Sequence, residues 1–395
     1  MYGDWYARGM YIQGSETNLY HTRHYGHPSQ FGYKDLVQLW KAAAVKRGLP
    51  FGVTEHRGPT FNWFAVNKGC DKEGPFAGVP YDGNDPEFED FYLPNQEHYN
   101  PNATIWDAAP WYSSNPWWHQ RWFDTIKELI DLYEPDLLYT DGGVPFAQNG
   151  QGEVVSRGKY EAGLHAVAHL YNTSAKSNNG VNRAVYNQKD RRRDVYSLGV
   201  LDIERSQESG IKPDPWQTDT CVGEWFYNVR KEYKKPRHVI EIFVDIISKN
   251  GNLLLNIPQK PDGTLDDECT YILKELAKWI KISGEAVYGT RPFHVFGEGP
   301  SSVVIKHFEE DQVAWTASDF RFTKRGNTLY AFQMRWPDDN RAVVRTLTES
   351  HKVKSVRLLG VGEVPFEQPF GVLTVSLPAH KPTEYVTVLA IELEE

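Results

Sequence analysis

The sequence predicts an α/β fold in which a (β/α) barrel-like domain is followed by a C-terminal antiparallel β-sandwich. Strand-like runs alternate with helical patterns up to about residue 290, and after that point the helical patterns stop. A chain of 395 residues is also long enough for one large barrel with an appended domain. We therefore expect a barrel-like domain over residues 1–293 and a β-sandwich over residues 294–395.

Six apolar or β-branched runs in the first part of the chain read as strands, and helical stretches lie between them. Alternation of this kind is typical of parallel strands that are covered by helices. The runs are "LPFGVTEH" (49–56), "PDLLYTDGG" (135–143), "AVYNQ" (184–188), "VLDIER" (200–205), "TCVGEW" (220–225) and "NLLLNIP" (252–258).

The intervening helices carry recognisable start and stop signals. "WWHQRWFDTIKELIDLYEP" keeps a 3.6-residue apolar period up to its proline, and "YEAGLHAVAHLYNTSAKSNNG" ends in Asn-Asn-Gly. "PRHVIEIFVDIISKNG" begins with Pro and ends with Gly. "TLDDECTYILKELAKWIKISGE" opens with a Thr cap and two early acids, and it ends at Gly284.

The C-terminal part contains short strand-like runs that are separated by turn residues such as "RGN", "PDDN" and "LPAHKP". This pattern is that of an all-β module, most simply an antiparallel sandwich. The runs are "SVVIKHF", "VAWTASDFRF", "TLYAFQM", "AVVRTL", "VKSVRLL", "GVLTVSL" and "YVTVLAIEL".

Charge and hydropathy exclude several classes of protein. The net charge of −9 disfavours a nucleic-acid binder, which needs a basic face. No apolar stretch approaches the roughly 18 residues of a membrane helix, so we expect no membrane partner. The N-terminal "MYGDWYARGMY" lacks a basic region followed by an apolar run, and thus predicts no secretory signal in this sequence.

Cysteine and histidine spacing predicts no metal site. Cys70, Cys221 and Cys269 are widely spaced and odd in number, which gives neither a disulfide framework nor a zinc pattern and favours buried thiols. "HTRH" at 21–24, with His27 close behind, has no acidic ligand motif nearby.

Aromatic residues are the strongest signal in the composition, with 13 Trp, 22 Tyr and 19 Phe in the chain. Flat rings stack on the C–H face of a sugar, and they also fill protein cores. Several lie in polar, turn-rich surroundings, as in "NWF" (62–64), "PWYSSNPWWHQRWF" (110–123) and "GEWFYN" (223–228). This placement favours a carbohydrate-binding cleft.

Polar residues stand at the C-terminal ends of the predicted strands, where a barrel carries its active site. Among them, Asp141 and Glu204 are carboxylates on different strands, and paired carboxylates suit glycoside hydrolysis. A helix-capping loop is the alternative for Asp141, and an ion pair with Arg205 or Arg183 is the alternative for Glu204. The other strand-end residues are Glu55, His56, Asn187 and Trp225.

Several motifs together resemble the α-L-fucosidases of glycoside hydrolase family 29. The motifs are "PDLLYTDGG", "LDIERSQ", "PWQTDT" and the long run "SKNGNLLLNIPQKPDGTLDDECTYILKELAKWIKISGEAVYGTRPF". "DWYARGMY", "YGHPSQFGYKDLVQLWKA" and "DFRFTKRGNTLYAFQMRWP" extend the likeness over nearly the whole chain. The resemblance implies an irregular (β/α)8-like, TIM-type barrel before the β-sandwich, and a retaining exo-glycosidase that removes terminal α-L-fucosyl residues from glycans.

The resemblance also implies roles for individual residues. Asp141 matches the nucleophile that forms the covalent glycosyl-Asp intermediate, and Glu204 the acid/base, with Glu208 as reserve. We expect substrate contacts from the strand-end residues and one aromatic neighbour, namely Glu55, His56, Tyr139, Asn187 and Trp225. No cofactor and no metal are implied, and the substrate is a fucosylated oligosaccharide or glycoconjugate.

The chain departs from the family pattern near its start, where comparison with that pattern predicts that the first two barrel strands are missing. "FGYKDLVQLWKA" runs straight into "AAVKRGLPFGVTEH", so one helix feeds what resembles the third strand. An incomplete barrel has unpaired edges, which favours a homo-oligomer. The alternatives are a catalytically weakened or inactive carbohydrate-binding relative and a glycosidase for a related sugar such as galactose. Family members are often secreted, periplasmic or lysosomal, and the sequence leaves the compartment open.

Overall fold

A computed structural model of the chain describes residues 36–61, 75, 112–113, 115–146, 161–192, 195–230, 232–306, 308, 310 and 312–394. The chain divides into two compact units, residues 1–201 and 202–395. "HTRH" at 21–24, "NWF" at 62–64 and Cys70 lie outside the described residues.

The first unit is built on a parallel sheet of four strands in the order β1-β2-β3-β4. Register pairs Gly52 with Leu137 and Leu137 with Val185, so the carboxyl ends of the first three strands meet at one edge. The strands are β1 (Gly52–Glu55), β2 (Leu137–Thr140), β3 (Val185–Gln188) and β4 (Val200–Leu201). The helices are α1 (Leu36–Val45), α2 (Pro116–Tyr133), α3 (Ala162–Ser177) and a short 3-10 turn (Tyr196–Leu198).

Local signals fix both ends of α2. The Asn115 side chain accepts a hydrogen bond from the backbone N–H of Trp117 at 3.0 Å, and Pro116 occupies the first turn. At the other end Glu134 takes a left-handed conformation with φ 36°, and its N–H bonds to Ile130 O at 2.8 Å. The buried face of the helix packs on the sheet.

The second unit begins with a parallel pair of strands and two long helices. The elements are β5 (Trp216–Cys221), α4 (Pro236–Ser248), β6 (Gly251–Asn256), α5 (Asp267–Ser283) and a 3-10 turn (Gly284–Ala286). Asp266 caps α5 by accepting a hydrogen bond from the Cys269 N–H at 2.8 Å. None of the described helices combines the length and apolar character needed to cross a bilayer.

The rest of the second unit is antiparallel. The strands are β7 (Arg291–Glu298), β8 (Phe320–Arg325), β9 (Thr328–Gln333), β10 (Arg341–Val344), β11 (Val353–Leu358), β12 (Gly362–Glu363), β13 (Phe366–Glu367), β14 (Leu373–Ser376) and β15 (Thr387–Leu393), with a 3-10 turn at Pro369–Gly371. One sheet has the order β12-β11-β15-β9-β8-β7 and the other the order β10-β14-β13.

Both faces of the six-stranded sheet are buried, and the alternation along β9 shows how. Leu329 and Ala331 join a core that includes Val375 of the three-stranded sheet, which makes the module a sandwich. Tyr330 and Phe332 point the other way and pack in a second core with residues of α4 and α5 such as Val244 and Trp279. The alternating side chains of β9 therefore belong to two cores, one on each face of the sheet.

The structure contains the six predicted parallel strands, and the bounds of one of them are shifted along the chain. β5 covers residues 216–221 instead of 220–225, so Trp225 lies four residues beyond the strand rather than at its end. Three strands were missed, namely β7, β12 and β13. "SVVIKHF" was wrongly read as a strand, since its described residues form none. The boundary at 293/294 stays a prediction.

A buried ion cluster joins α4 to β8 and leads to a stability prediction. Asp245, which is 0% exposed, contacts Lys249 Nζ and Arg321 Nε, each at 2.5 Å. Asp245→Ala leaves two buried cations without their shared anion, so we expect the free energy of unfolding to fall by about 3–5 kcal/mol. Urea unfolding followed by tryptophan fluorescence measures the change. The exposed Asp338→Ala is the control, and a loss under about 1 kcal/mol for Asp245→Ala contradicts the prediction.

Candidate active site

Strand register decides which side chains of the first unit share a face. Leu138 and Tyr186 are paired across β2 and β3, and both join the core formed with α2. Their neighbours Tyr139 and Asn187, also paired, therefore point to the opposite face of the sheet. By the same period, this opposite face continues beyond the strand ends to Asp141 after β2, Lys189 after β3 and His56 after β1.

Asp141 is held by three side chains on this face. Lys189 Nζ lies 2.7 Å from Asp141 Oδ1, and His56 Nε2 lies 3.3 Å from Oδ2. The Tyr139 hydroxyl donates to Oδ1 at 3.4 Å. The Asp141 side chain is 29% exposed, whereas those of His56 and Lys189 are 8% and 15% exposed. Part of the Asp141 side chain thus remains accessible between largely buried partners.

The charges around Asp141 keep its carboxyl ionised. Burial by itself raises the pKa of Asp141, but the electrostatic interactions with Lys189 and His56 outweigh burial, so the pKa lies below its usual value. The Lys189 hydrogen bond acts in the same direction. An ionised, partly exposed carboxylate is the form that a nucleophile requires.

The two glycines after Asp141 form a turn. Gly142 has φ 145°, a conformation that residues with a side chain rarely adopt. Its carbonyl accepts a hydrogen bond from the Lys189 N–H at 2.7 Å, while the Asp141 N–H bonds to Glu55 O at 3.0 Å. A Cβ on Gly143 would lie 3.2 Å from Asp190 Oδ2. The turn therefore ties the ends of β1, β2 and β3 together around Asp141.

Glu55 lies on the other face of the sheet. Register pairs it with Thr140, and its Oε2 accepts hydrogen bonds from the Trp122 Nε1–H at 3.3 Å and the Arg57 N–H at 2.9 Å. Glu55 is 4% exposed, and its side chain contacts Trp122 of α2 on the face of the sheet opposite to Asp141. The prediction that Glu55 binds substrate therefore has no support in these contacts.

Glu204 belongs to the second unit, in a turn that follows the bridge between Asp202 and Gln217 of β5. The Ile203 N–H bonds to Gln217 O and the Arg205 N–H bonds to Asp219 O, each at 2.9 Å. Glu204 is half-buried. One of its carboxylate oxygens lies within 4.8 Å of one of Asp219, so the second unit contains a pair of neighbouring carboxylates.

The remaining predicted residues are placed as follows. Glu208, the reserve acid/base, is 8% exposed, and its Oε2 lies 3.0 Å from Lys212 Nζ. Trp225 is half-buried in the turn after β5, where its carbonyl accepts a hydrogen bond from Asn256 Nδ2 at 3.0 Å. Asn187 is 2% exposed. Their contacts with a sugar stay predictions.

The sequence reasoning missed Lys189 and Asp219. Lys189 follows Asn187, which was chosen as a strand-end residue, by two residues, so the alternation of side chains along a strand could have found it. Asp219 lies inside "PWQTDT", a motif that was used for resemblance only. The cleft role suggested for the aromatic run at 110–123 needs correction for Trp118 and Trp122, which are 0% and 1% exposed and belong to the core, whereas Trp117 of the same run is exposed.

Comparison with known families gives two matches. A family described as Alpha-L-fucosidase matches residues 34–285, and one described as Alpha-L-fucosidase C-terminal domain matches residues 312–392. The tissue alpha-L-fucosidase of Mus musculus is 26% identical over 270 residues, which are 66% of this chain and 53% of that protein. An alpha-L-fucosidase of Dictyostelium discoideum is 22% identical over 430 residues, covering 97% of this chain and 84% of its own length.

Solved structures establish the fold class. An alpha-fucosidase of Thermotoga maritima in complex with fucose is 20% identical with a TM-score of 0.59, covering 96% of this chain and 72% of that one. A GH29 alpha-L-fucosidase of Bacteroides thetaiotaomicron is 17% identical with a TM-score of 0.61, covering 97% and 74%. The predicted irregular TIM-type barrel followed by a C-terminal β domain is confirmed. The chain spans about half the length of the mammalian relatives that it matches.

Proposed function

Since the chain belongs to the alpha-L-fucosidase family, we propose that it is a retaining glycoside hydrolase that removes terminal α-L-fucosyl residues from fucosylated oligosaccharides or glycoconjugates. The observation that carries the proposal is the setting of Asp141, an ionised carboxylate at the carboxyl end of a parallel strand, 2.7 Å from Lys189 and 3.3 Å from His56. Barrel enzymes place their catalytic groups at these strand ends. A second copy of the chain as partner stays a prediction.

In the first step, the Asp141 carboxylate attacks the anomeric carbon of the fucosyl residue. The bond to the aglycone oxygen breaks, and Glu204 donates a proton to that oxygen. A covalent fucosyl ester on Asp141 results, with inverted configuration. Lys189 and His56 anchor the carboxylate before attack, and their hydrogen bonds pass to the ester and to the ring hydroxyls around it.

In the second step, Glu204 acts as a base. It takes a proton from water as the water oxygen attacks the anomeric carbon, and the ester bond to Asp141 breaks. The second inversion restores the α configuration, and both carboxyl groups return to their starting protonation states. Asn187 and Tyr139 are the side chains proposed to contact the sugar on the Asp141 face of the sheet.

Trapping tests nucleophile and activity together. Incubation with a 2-deoxy-2-fluoro-fucosyl inactivator, followed by peptide mapping, is expected to add one 2-deoxy-2-fluoro-fucosyl mass to the peptide that contains Asp141. Turnover of nitrophenyl α-L-fucoside, with matched galactosides beside it, reports the sugar preference. No turnover and no labelling at high enzyme concentration would leave a carbohydrate-binding relative, whereas faster turnover of a galactoside would assign the related sugar.

Lys189→Met provides a test through pH. Burial of Asp141 persists in this variant while the nearest positive charge is lost, so the pKa of Asp141 rises and the carboxylate is protonated over a wider acidic range. We expect the acid limb of kcat/KM to move upward by roughly one to two pH units. Lys189→Arg keeps the charge and should keep the limb near its original position.

Lys127→Met is the matched control, because it removes another lysine–aspartate pair of the first unit on the exposed part of α2. Its pH profile should match that of the unmodified protein. An unchanged acid limb in Lys189→Met would contradict the assignment of Lys189 as the group that keeps Asp141 ionised.

A further inference from the structure

One end of the β-sandwich presents an exposed aromatic ring on a strained turn. Phe370 lies between β13 and β14 and is 89% exposed. Its backbone has φ 55° and ψ 31°, a left-handed conformation that a bulky residue seldom adopts. Backbone strain of this kind persists only where the surroundings enforce it, and it is concentrated at functional sites. The structure around the turn therefore holds the ring out into solvent.

Gln368 clamps this turn to the loop between β10 and β11. Its Nε2 donates hydrogen bonds to His351 O at 2.7 Å and to Gly371 O at 3.3 Å, and its Oε1 accepts one from the Val353 N–H at 3.1 Å. Gly371, with φ 84°, packs so closely that a Cβ there would lie 2.6 Å from Glu349 N. Because its backbone is held so firmly, the Phe370 turn loses little conformational freedom when it binds a ligand.

Hydrogen bonds within the β10–β11 loop fix the tautomer of His351. The Thr348 N–H lies 3.2 Å from His351 Nδ1, and a backbone N–H can only donate, so Nδ1 is the acceptor. The Thr348 hydroxyl lies 2.9 Å from the same nitrogen, and the Ser350 hydroxyl lies 2.8 Å from that of Thr348. Neutral His351 therefore carries its hydrogen on Nε2, for which the described residues supply no acceptor.

His294 of β7 adds a second imidazole to this end of the sandwich. Its side chain is exposed, and its ring stacks on that of His351 with centroids 5.9 Å apart and planes 14° from parallel. A metal ion does not suit the pair, because coordination through His351 Nε2 would place a hydrogen on Nδ1, opposite the Thr348 N–H. The end of the sandwich thus combines an apolar ring with hydrogen-bonding groups on the loop to which its turn is clamped.

We propose that this end of the sandwich is a glycan-binding site that shares no residue with the proposed catalytic set. Phe370 packs against the C–H face of a pyranose ring, while His351 Nε2 donates to a hydroxyl and His294 hydrogen-bonds to another. A sugar suits the surface because it has an apolar face and a rim of hydroxyls that accept and donate. A second site of this kind retains a branched or polymeric glycan at the protein.

A fluorine label at position 370 reports binding at the site itself. The full-length chain, with 4-fluorophenylalanine in place of Phe370, is titrated with a thio-linked fucosyllactose, whose sulfur bridge resists hydrolysis, and the ¹⁹F resonance is followed by NMR. We expect a shift that saturates with sugar concentration. The absence of any shift overturns the proposal. A shift that follows protein concentration instead also overturns it, and would assign the surface to a second copy of the chain.

Phe370→Gly separates binding from a structural role of the ring. Glycine adopts this φ without strain, so we expect the melting temperature to stay the same or rise. Affinity for the thio-linked sugar should fall by roughly tenfold. The affinity is read from the ¹⁵N signals of His351 in histidine-labelled protein, assigned by their absence from His351→Gln. An unchanged affinity in Phe370→Gly refutes the proposal.

Tyr288→Ala is the matched control, because it removes another exposed aromatic side chain of the second unit and should leave the His351 titration unchanged. Phe370→Gly should also leave kcat/KM for nitrophenyl α-L-fucoside unchanged. Both NMR readouts are independent of turnover. An unmodified protein without turnover would therefore sink the proposed hydrolase, while the titrations would still decide the glycan-binding site.

Discussion

Asp141→Asn is expected to lower kcat/KM for nitrophenyl α-L-fucoside by roughly 10⁴-fold or more. The amide oxygen can still accept a hydrogen bond from Lys189, so the site keeps its shape, but a neutral amide cannot form the ester to the anomeric carbon. Initial rates at high enzyme concentration measure the loss. Lys189 and His56 favour the ionised carboxylate of Asp141, but they cannot make a neutral amide nucleophilic.

Chemical rescue by azide tests whether the loss of activity comes from the missing nucleophile. Asp141→Gly opens space at the strand end, and azide can then attack the α-fucoside directly and give a β-configured fucosyl azide. The matched control is Asp131→Asn on α2, an exposed carboxylate of the same unit that pairs with Lys127 and should leave the rate unchanged. Turnover of Asp141→Asn within tenfold of the unmodified protein would remove Asp141 from the role of nucleophile.

Much of the fold could be predicted because local sequence and tertiary environment agree. β2 ends an apolar run at the Asp-Gly-Gly turn, and α4 lies between Pro236 and a Gly that opens β6. Apolar periods, caps and glycine turns act within a few residues, and here they coincide with the buried faces that tertiary packing selects. The strand-end position of Asp141 followed from the same local logic.

Pairing between distant residues could not be predicted in the same way. A four-residue strand such as β1 is too short for its pattern to show which face is buried, so the hydrogen bond between Glu55 and Trp122 on α2 was not predicted. The bridge between Asp202 and Gln217 depends on the register between two segments that sequence leaves free to slide. The shift of β5 has the same cause, because "PWQTDT" pairs with β6 through backbone bonds that composition does not encode.

Glu204→Gln should separate the two chemical steps. Without an acid, cleavage of a fucoside with a poor leaving group is expected to slow by roughly 10²–10⁴-fold. Nitrophenolate leaves without protonation, so the fucosyl ester on Asp141 should still form and then accumulate, because no base activates water. Rapid-quench mixing would register this as a burst of nitrophenol followed by a slow steady state.

Azide distinguishes Glu204 from the reserve residue Glu208. Azide needs no base, so it should accelerate the slow phase of Glu204→Gln. Its attack on the β-configured ester should give an α-configured fucosyl azide. Glu208→Gln is the matched variant; it loses an ion pair with Lys212, and we expect its burst and its product to resemble those of the unmodified protein. Because the Asp141 and Glu204 variants must give azides of opposite configuration, the products assign the two roles even if the rates of the variants are alike. An α-azide from Glu208→Gln, with none from Glu204→Gln, would move the acid/base role to Glu208.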